Sequence, residues 1–144
     1  MDIGIIAKAV TNFRTAIETC HHELGVYFSR FPAGSCNDAS AMLAEYLGQA
    51  DLGVFERVRA ERKSDRWSHV WLERDKVIVD ITVDQFKEAR TFPFVTCDRA
   101  WHDITFKICE RIESGSFRYD SSLSKLSYSY ELIIKNITLN ETDS

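Results

Sequence analysis

Between Trp67 and Asp84 two runs of β-forming residues flank the polar stretch Glu73-Arg74-Asp75-Lys76. That pattern leaves few alternatives to an antiparallel hairpin, with strands over Trp67 to Glu73 and Val77 to Asp84. Each run carries one titratable residue where an apolar one would be the easy choice. His69 stands between Ser68 and Val70-Trp71-Leu72, and Asp80 interrupts Val77-Ile78-Val79 and Ile81. A carboxylate inside such a strand is costly without a partner. A two-residue turn at Arg74-Asp75 pairs Glu73 with Lys76 and sets His69 directly opposite Asp80. A four-residue loop over Glu73 to Lys76 gives the same pairing. Opposed residues have Cβ atoms about 4.5–5.5 Å apart on one face, so the carboxylate can hold the imidazole through Nδ1 and leave Nε2 for a third group. A three-residue loop would put the two on opposite faces.

The first third of the chain has a different period. Ile6, Ala9, Val10, Phe13, Ile17 and Cys20 recur at three and four, which predicts a helix from Ile3 to Leu24, stopped at Gly25. Val26 to Phe31 and Pro32-Ala33-Gly34 read as a loop. A second helix is expected after Ser35, with Ser35 as N-cap, Asp38 at N3 in a variant capping box, and Gly48 near its end. Ser40, Leu43, Ala44 and Leu47 then share a face with Cys36, the first residue inside that helix.

Further strands are expected at Gly53 to Glu61, with Val54, Val58 and Ala60 on one side, and at Phe92 to Cys97. Ile104 to Ile112 fits either period: Ile104, Phe106 and Ile108 alternate, whereas Trp101, Ile104, Ile108 and Ile112 recur helically. Leu123, Leu126, Tyr130, Ile133, Ile134 and Ile137 predict a closing helix, followed by a flexible tail over 139–144. The whole reads as one domain over 1–144, α+β in class, with a nucleophile-bearing helix packed on an antiparallel sheet that carries His69 and Asp80.

Cys36 gains its interest from position. Free N–H groups and the dipole at a helix N-terminus favour a thiolate, and a nearby imidazole favours it further. Asp38 works against this by adding negative charge. Cys36 as nucleophile, His69 as base and Asp80 as the acid that orients His69 make a Cys-His-Asp arrangement suited to acyl transfer. Such chemistry also needs donors for the oxyanion. The backbone N–H of Cys36 is one candidate, and Asn37, Trp67 and Gln85 are candidates for another. Trp67 and Trp71 share the face of His69 and either wall a groove or cover the sheet. Trp101 and His102 either line the cleft or form a packed aromatic beside a loop histidine.

The stretch Phe31-Pro32-Ala33-Gly34-Ser35-Cys36 leading into Ala39 to Leu47, with Ser68-His69-Val70-Trp71-Leu72-Glu73 and Ile78-Val79-Asp80-Ile81-Thr82, resembles the transglutaminase-like branch of the papain-like cysteine enzymes, in particular small bacterial members. The resemblance spans about residues 25 to 86. It implies a thioester acyl-enzyme at Cys36, resolved by water or an amine. The family includes peptidases, amidases, deamidases, acyltransferases and cross-linking enzymes, with a peptide or protein side chain as substrate. Papain relatives place a Gln shortly before the nucleophile, and none stands there here. Two other readings remain open: an inactive interaction module on the same fold, and a deamidase-type toxin or effector.

Composition narrows the partners. The 144 residues carry a formal net charge of -4, so the chain lacks the basic footprint of a nucleic-acid binder. Arg57, Arg59, Arg62, Lys63 and Arg66 cluster but alternate with Glu56, Glu61 and Asp65, which reads as a solvated face. Cys20, Cys36, Cys97 and Cys109 are scattered, with no C-x-x-C pair and no H-x3–5-H spacing. Cys20, His21, His22, Cys97, His102 and Cys109 are therefore not expected to hold a metal, and no cofactor is expected. No basic region precedes an apolar stretch at Met1-Asp2, and no run reaches the roughly 18 apolar residues of a membrane span. A cytoplasmic protein with reduced thiols and no membrane contact is the expectation.

Overall fold

The computed structural model describes residues 1–113 and 115–142. In chain order the elements are α1 (Ile3–Cys20), α2 (Cys36–Gln49), β1 (Glu56–Arg62), β2 (Ser68–Arg74), β3 (Val77–Val79), β4 (Val95–Thr96), α3 (Ala100–Thr105), β5 (Phe106–Ile112) and α4 (Ser127–Thr142). The strands form one antiparallel sheet in the order β4-β3-β2-β1-β5. The class is α+β, as the two periods in the sequence predict.

α1 starts where the Asp2 carboxylate accepts a hydrogen bond from the N–H of Ile5 at 3.2 Å. Ile6, Val10, Phe13, Ile17 and Cys20 line its buried face. It ends at Cys20 instead of Leu24, because the last turn tightens into a 3-10 turn over His21–Glu23 before Gly25 reverses the chain at φ 98°. α2 begins at Cys36 as expected. Ser35 precedes it at φ -129° and ψ 11°, away from the extended conformation that aims an N-cap hydroxyl at the first turn. Its buried Oγ has no hydrogen-bond partner, so the capping box with Asp38 is not made.

The hairpin turns one residue later than Arg74-Asp75. Arg74 pairs with Val77, Glu73 with Ile78 and Leu72 with Val79. The turn residues are Asp75 and Lys76, at φ 49° and 69°, and positive φ at both central positions is the mark of a type I′ turn. The pairing thus differs by two residues from the expected register. Two is the side-chain period of a strand, so His69 and Asp80 keep a common face as diagonal neighbours, no longer directly opposed. β3 also stops at Val79, and the N–H of Asp80 bonds the carbonyl of Phe94 at 2.7 Å.

Elsewhere several expected boundaries move. β1 begins at Glu56, leaving Val54 exposed, and β4 is only Val95–Thr96. The ambiguous stretch divides: Trp101 and Ile104 lie in α3, and Phe106, Ile108 and Ile112 lie in β5. α4 continues to Thr142, so positions 139 to 142 are helical rather than a tail, and Asp143 and Ser144 lie outside the described residues.

The sheet buries both faces. Leu72, Val77 and Val79 pack with Val10, Phe13, Ile17, Met42, Leu43, Leu47, Tyr130 and Ile133 beneath α1, α2 and α4. Val58, Ala60, Trp71, Ile78 and Phe106 pack on the opposite face with Val83, Phe86 and Ala89. No helix among the described residues is long and apolar enough to cross a membrane.

Candidate active site

Three elements bring Cys36, His69 and Asp80 together. Cys36 is the first residue of α2, His69 the second of β2, and Asp80 directly follows β3. The His69 side chain is 0% exposed and that of Asp80 1%. His69 Nε2 lies 2.8 Å from Asp80 Oδ2, and Cys36 is among the groups that raise the pKa of the same ring. The carboxylate therefore takes Nε2 and leaves Nδ1 free of it, the reverse of the sequence-based expectation. Asp80 reaches the ring from the loop that follows β3.

The loop carrying Asp80 is fixed from the helical side. Buried Arg14 of α1 donates to the carbonyl of Ile81 at 2.7 Å and grips both carboxylate oxygens of Asp84 at 2.8 Å each. Within the loop, Gln85 Nε2 donates to Thr82 Oγ1 at 3.1 Å and stands 3.4 Å from His69 Nδ1. The amide thus lies on the edge of the imidazole that Asp80 leaves free.

Electrostatics follow from burial and pairing. Burial alone would pull the His69 pKa down, but the Asp80 charge, the Asp80 hydrogen bond and Cys36 together outweigh it and push it up to about 9. Burial would push Asp80 up, yet the charge of His69 and hydrogen bonds from His102 and His69 hold it below the ordinary carboxylate range. Both directions favour an imidazolium-carboxylate pair. Asp80 Oδ1 is buried and has no hydrogen-bond partner.

His102 was not foreseen in this role. It sits in α3, not a loop, is 3% exposed, and its Nε2 lies 2.8 Å from Asp80 Oδ2. One carboxylate oxygen thus receives two imidazoles. Local sequence offers one hint, an imidazole beside Trp101 in a stretch of apolar helical spacing. Nothing in that spacing points to Asp80.

An open groove of about 540 Å³ runs past the thiol, lined by Gly34, Cys36, Asn37, Arg57, Arg59, Trp67, Ser68, Val70, Gln85, Ile112, Asp120 and Ser122. All three oxyanion candidates line it. Asn37 Oδ1 accepts from Arg57 Nη1 at 3.0 Å, which fixes its amide orientation. Trp67 is 56% exposed on the rim. Trp71 does not wall the groove: it is buried behind His69, ring centroids 5.6 Å apart. The basic cluster is largely paired, with Arg59 on Glu110, Arg62 on Asp65 and Arg66 on Glu61. Among the described residues no group of three His, Cys, Asp or Glu side chains is placed to hold a metal ion.

Comparison with protein-family models, with curated proteins and with solved structures returned no match.

Proposed function

We propose that the protein is a cysteine-dependent acyl-transfer enzyme of papain-like, transglutaminase-like character, acting on amide bonds of a peptide or protein side chain. The observation that carries this reading is the buried His69 ring, held by Asp80 on Nε2 at 2.8 Å, with Cys36 at the mouth of α2 among the groups that raise its pKa.

In this scheme the Cys36 proton rests on His69 Nδ1, giving a thiolate–imidazolium pair, and the sulfur attacks the carbonyl carbon. The carbonyl electron pair moves onto oxygen, for which the N–H groups of the first turn of α2 and the groove-lining Gln85 amide are the donors of this scheme. Collapse breaks the C–N bond, and His69 returns the proton to the departing amine. A thioester remains on Cys36. Water or an amine attacks it, His69 takes the incoming proton, and the S–C bond breaks to restore the thiolate–imidazolium pair. Asp80 keeps the ring oriented and stabilises its charged form at each transfer. The open groove suits an extended protein segment better than an enclosed small molecule.

Iodoacetamide alkylation, with the adducts located by mass spectrometry, tests the reading. Cys36 is half-buried, whereas Cys97 and Cys109 are exposed, so accessibility alone favours the latter two. The proposal expects Cys36 to react fastest at neutral pH and to slow about 100-fold in His69→Ala. Equal or slower labelling of Cys36, unaffected by His69→Ala, overturns it.

A further inference from the structure

We infer that His102 is a positioning residue for the Cys36–His69 pair: its Nε2–H clamps Asp80 Oδ2, so that Asp80 holds His69 in the one orientation that leaves Nδ1 for the thiol. The inference rests on the acyl-transfer reading above and goes beyond it.

An ionised carboxylate only accepts hydrogen bonds, so both rings must carry a proton on Nε2 to share Oδ2 at 2.8 Å each. Neutral His69 then has its lone pair on Nδ1, on the side of Cys36 and Gln85. Oδ1 is buried with no partner. A carboxylate bound to His69 alone would be free to exchange its two oxygens, tilting the ring with it. With a second donor converging on Oδ2, that rotation breaks two charge-assisted bonds at once.

His102 is itself firmly placed. Its ring packs edge-on against Trp71 and Trp101, at centroid distances of 4.9 and 4.8 Å. The residue before α3, Arg99, bonds the carboxylate of Glu73 on β2, and Asp98 accepts from the N–H of Ala100 at 3.0 Å. Glu73 is buried and also bonds Arg111 of β5 at 2.7 Å, so α3 is tied to two strands at its start. Such anchoring keeps a short helix in register over Asp80. The titratable groups facing Asp80 are His69 from β2 and His102 from α3, with Cys36 beyond the first ring.

The test is the rate of Cys36 alkylation by iodoacetamide against pH in wild type, His102→Leu and His102→Gln, with Cys97 as the internal reference thiol. Denaturant unfolding establishes that each variant is folded. Removing one charge-assisted donor should slow Cys36 about tenfold or more in His102→Leu. It should also move the acid limb of the profile upward, because Asp80 loses a donor to its charged form. The Gln amide nitrogen can take the place of Nε2, so His102→Gln should recover most of the rate and the limb, with Cys97 unchanged throughout. A folded His102→Leu protein with wild-type rate and limb overturns the inference. Should His102→Leu not fold, proton spectra of the wild type decide: two slowly exchanging, low-field imidazole Nε2–H signals support the shared clamp, and a single one overturns it. Failure of the acyl-transfer reading looks different, since Cys36 of the wild type would then label no faster than Cys97 and ignore His69→Ala.

Discussion

The two faces of the sheet are buried alike but built from different materials. On the helical face, Leu72, Val77 and Val79 meet a continuous layer of aliphatic and aromatic side chains from α1, α2 and α4. On the other face, the same strands present His69, Trp71, Glu73 and Ile78, and the chain then adds Asp80. Its cover is thinner, a loop over 83–94 and the six-residue α3. The difference teaches where each kind of stability comes from. The helical face gains by removing apolar area from water, which is insensitive to protonation. The opposite face buries charge, and a buried charge stabilises the fold only while its partners are in place and in the right protonation state.

The sharpest way to break this contrast is Asp80→Asn. The amide oxygen can still accept from the imidazoles, but it carries no charge, so neither bond is charge-assisted any longer. Alkylation of Cys36 should fall by about 100-fold or more. The His69 pKa, pushed up to about 9 chiefly against the pull of burial, loses the Asp80 charge that raised it and should drop. A proton NMR titration of the His69 ring reads this directly. A ring that still titrates near 9 in the variant would mean that Asp80 is not what holds its proton.

On the helical face the expected effect is large in stability and absent in reactivity. Ile17 is fully buried on α1, and Ile17→Ala should cost about 2–5 kcal/mol by denaturant unfolding. The folded fraction should alkylate at Cys36 at the wild-type rate, since no part of Ile17 belongs to the groove or the imidazole pair. A matching loss of Cys36 reactivity would show that the two faces are mechanically coupled.

Why one face was legible in the sequence and the other only in part follows from the same contrast. Apolar periodicity is a local signal, and it located α1, α2, the hairpin and α4 within a few residues. It also singled out His69 and Asp80, because each breaks an apolar pattern. Cys36 came from a helix start. The register did not come from local signals, because the αL conformation at Lys76 has no marker as plain as Asn-Gly. The common face survived only because the slip equalled the side-chain period. His102 was illegible for a deeper reason: it meets Asp80 across 22 residues, through a helix-to-strand junction whose two periods overlap. A pairing of that kind depends on where α3 lands on the sheet, and Glu73, which anchors it, looks in sequence like any strand-end charge.

Protonation offers a gentler probe. His69 is raised in the fold, so its contribution to stability is complete below its unfolded value near 6.5 and is lost as pH rises through about 9. Asp80 is lowered, so its contribution is present above the ordinary value near 3.9 and is lost as pH falls through its folded value. The unfolding midpoint should therefore decline from about pH 6.5 to about 9 in the wild type. Ile17→Ala should show the same slope from a lower start, and Asp80→Asn a flatter one. Parallel slopes in all three would place the titrating group elsewhere.

The smallest expected effect concerns the mouth of α2, where the two faces meet at Cys36. Replacing a serine N-cap by alanine usually costs about 0.5–2 kcal/mol, because a hydrogen bond to the first turn is lost. Ser35 makes no such bond, and its buried hydroxyl has no partner at all. Ser35→Ala removes an unsatisfied polar atom, so stability should stay within about 0.5 kcal/mol of wild type or rise. That outcome carries a mechanistic consequence. A capping hydroxyl would occupy the first-turn N–H groups of α2, and those are the donors that the Cys36 sulfur and a developing oxyanion need. A cost of 1 kcal/mol or more on the usual capping scale would mean that Ser35 does cap the helix in solution, and the mouth of α2 would then have to be shared between the hydroxyl and the reacting atoms.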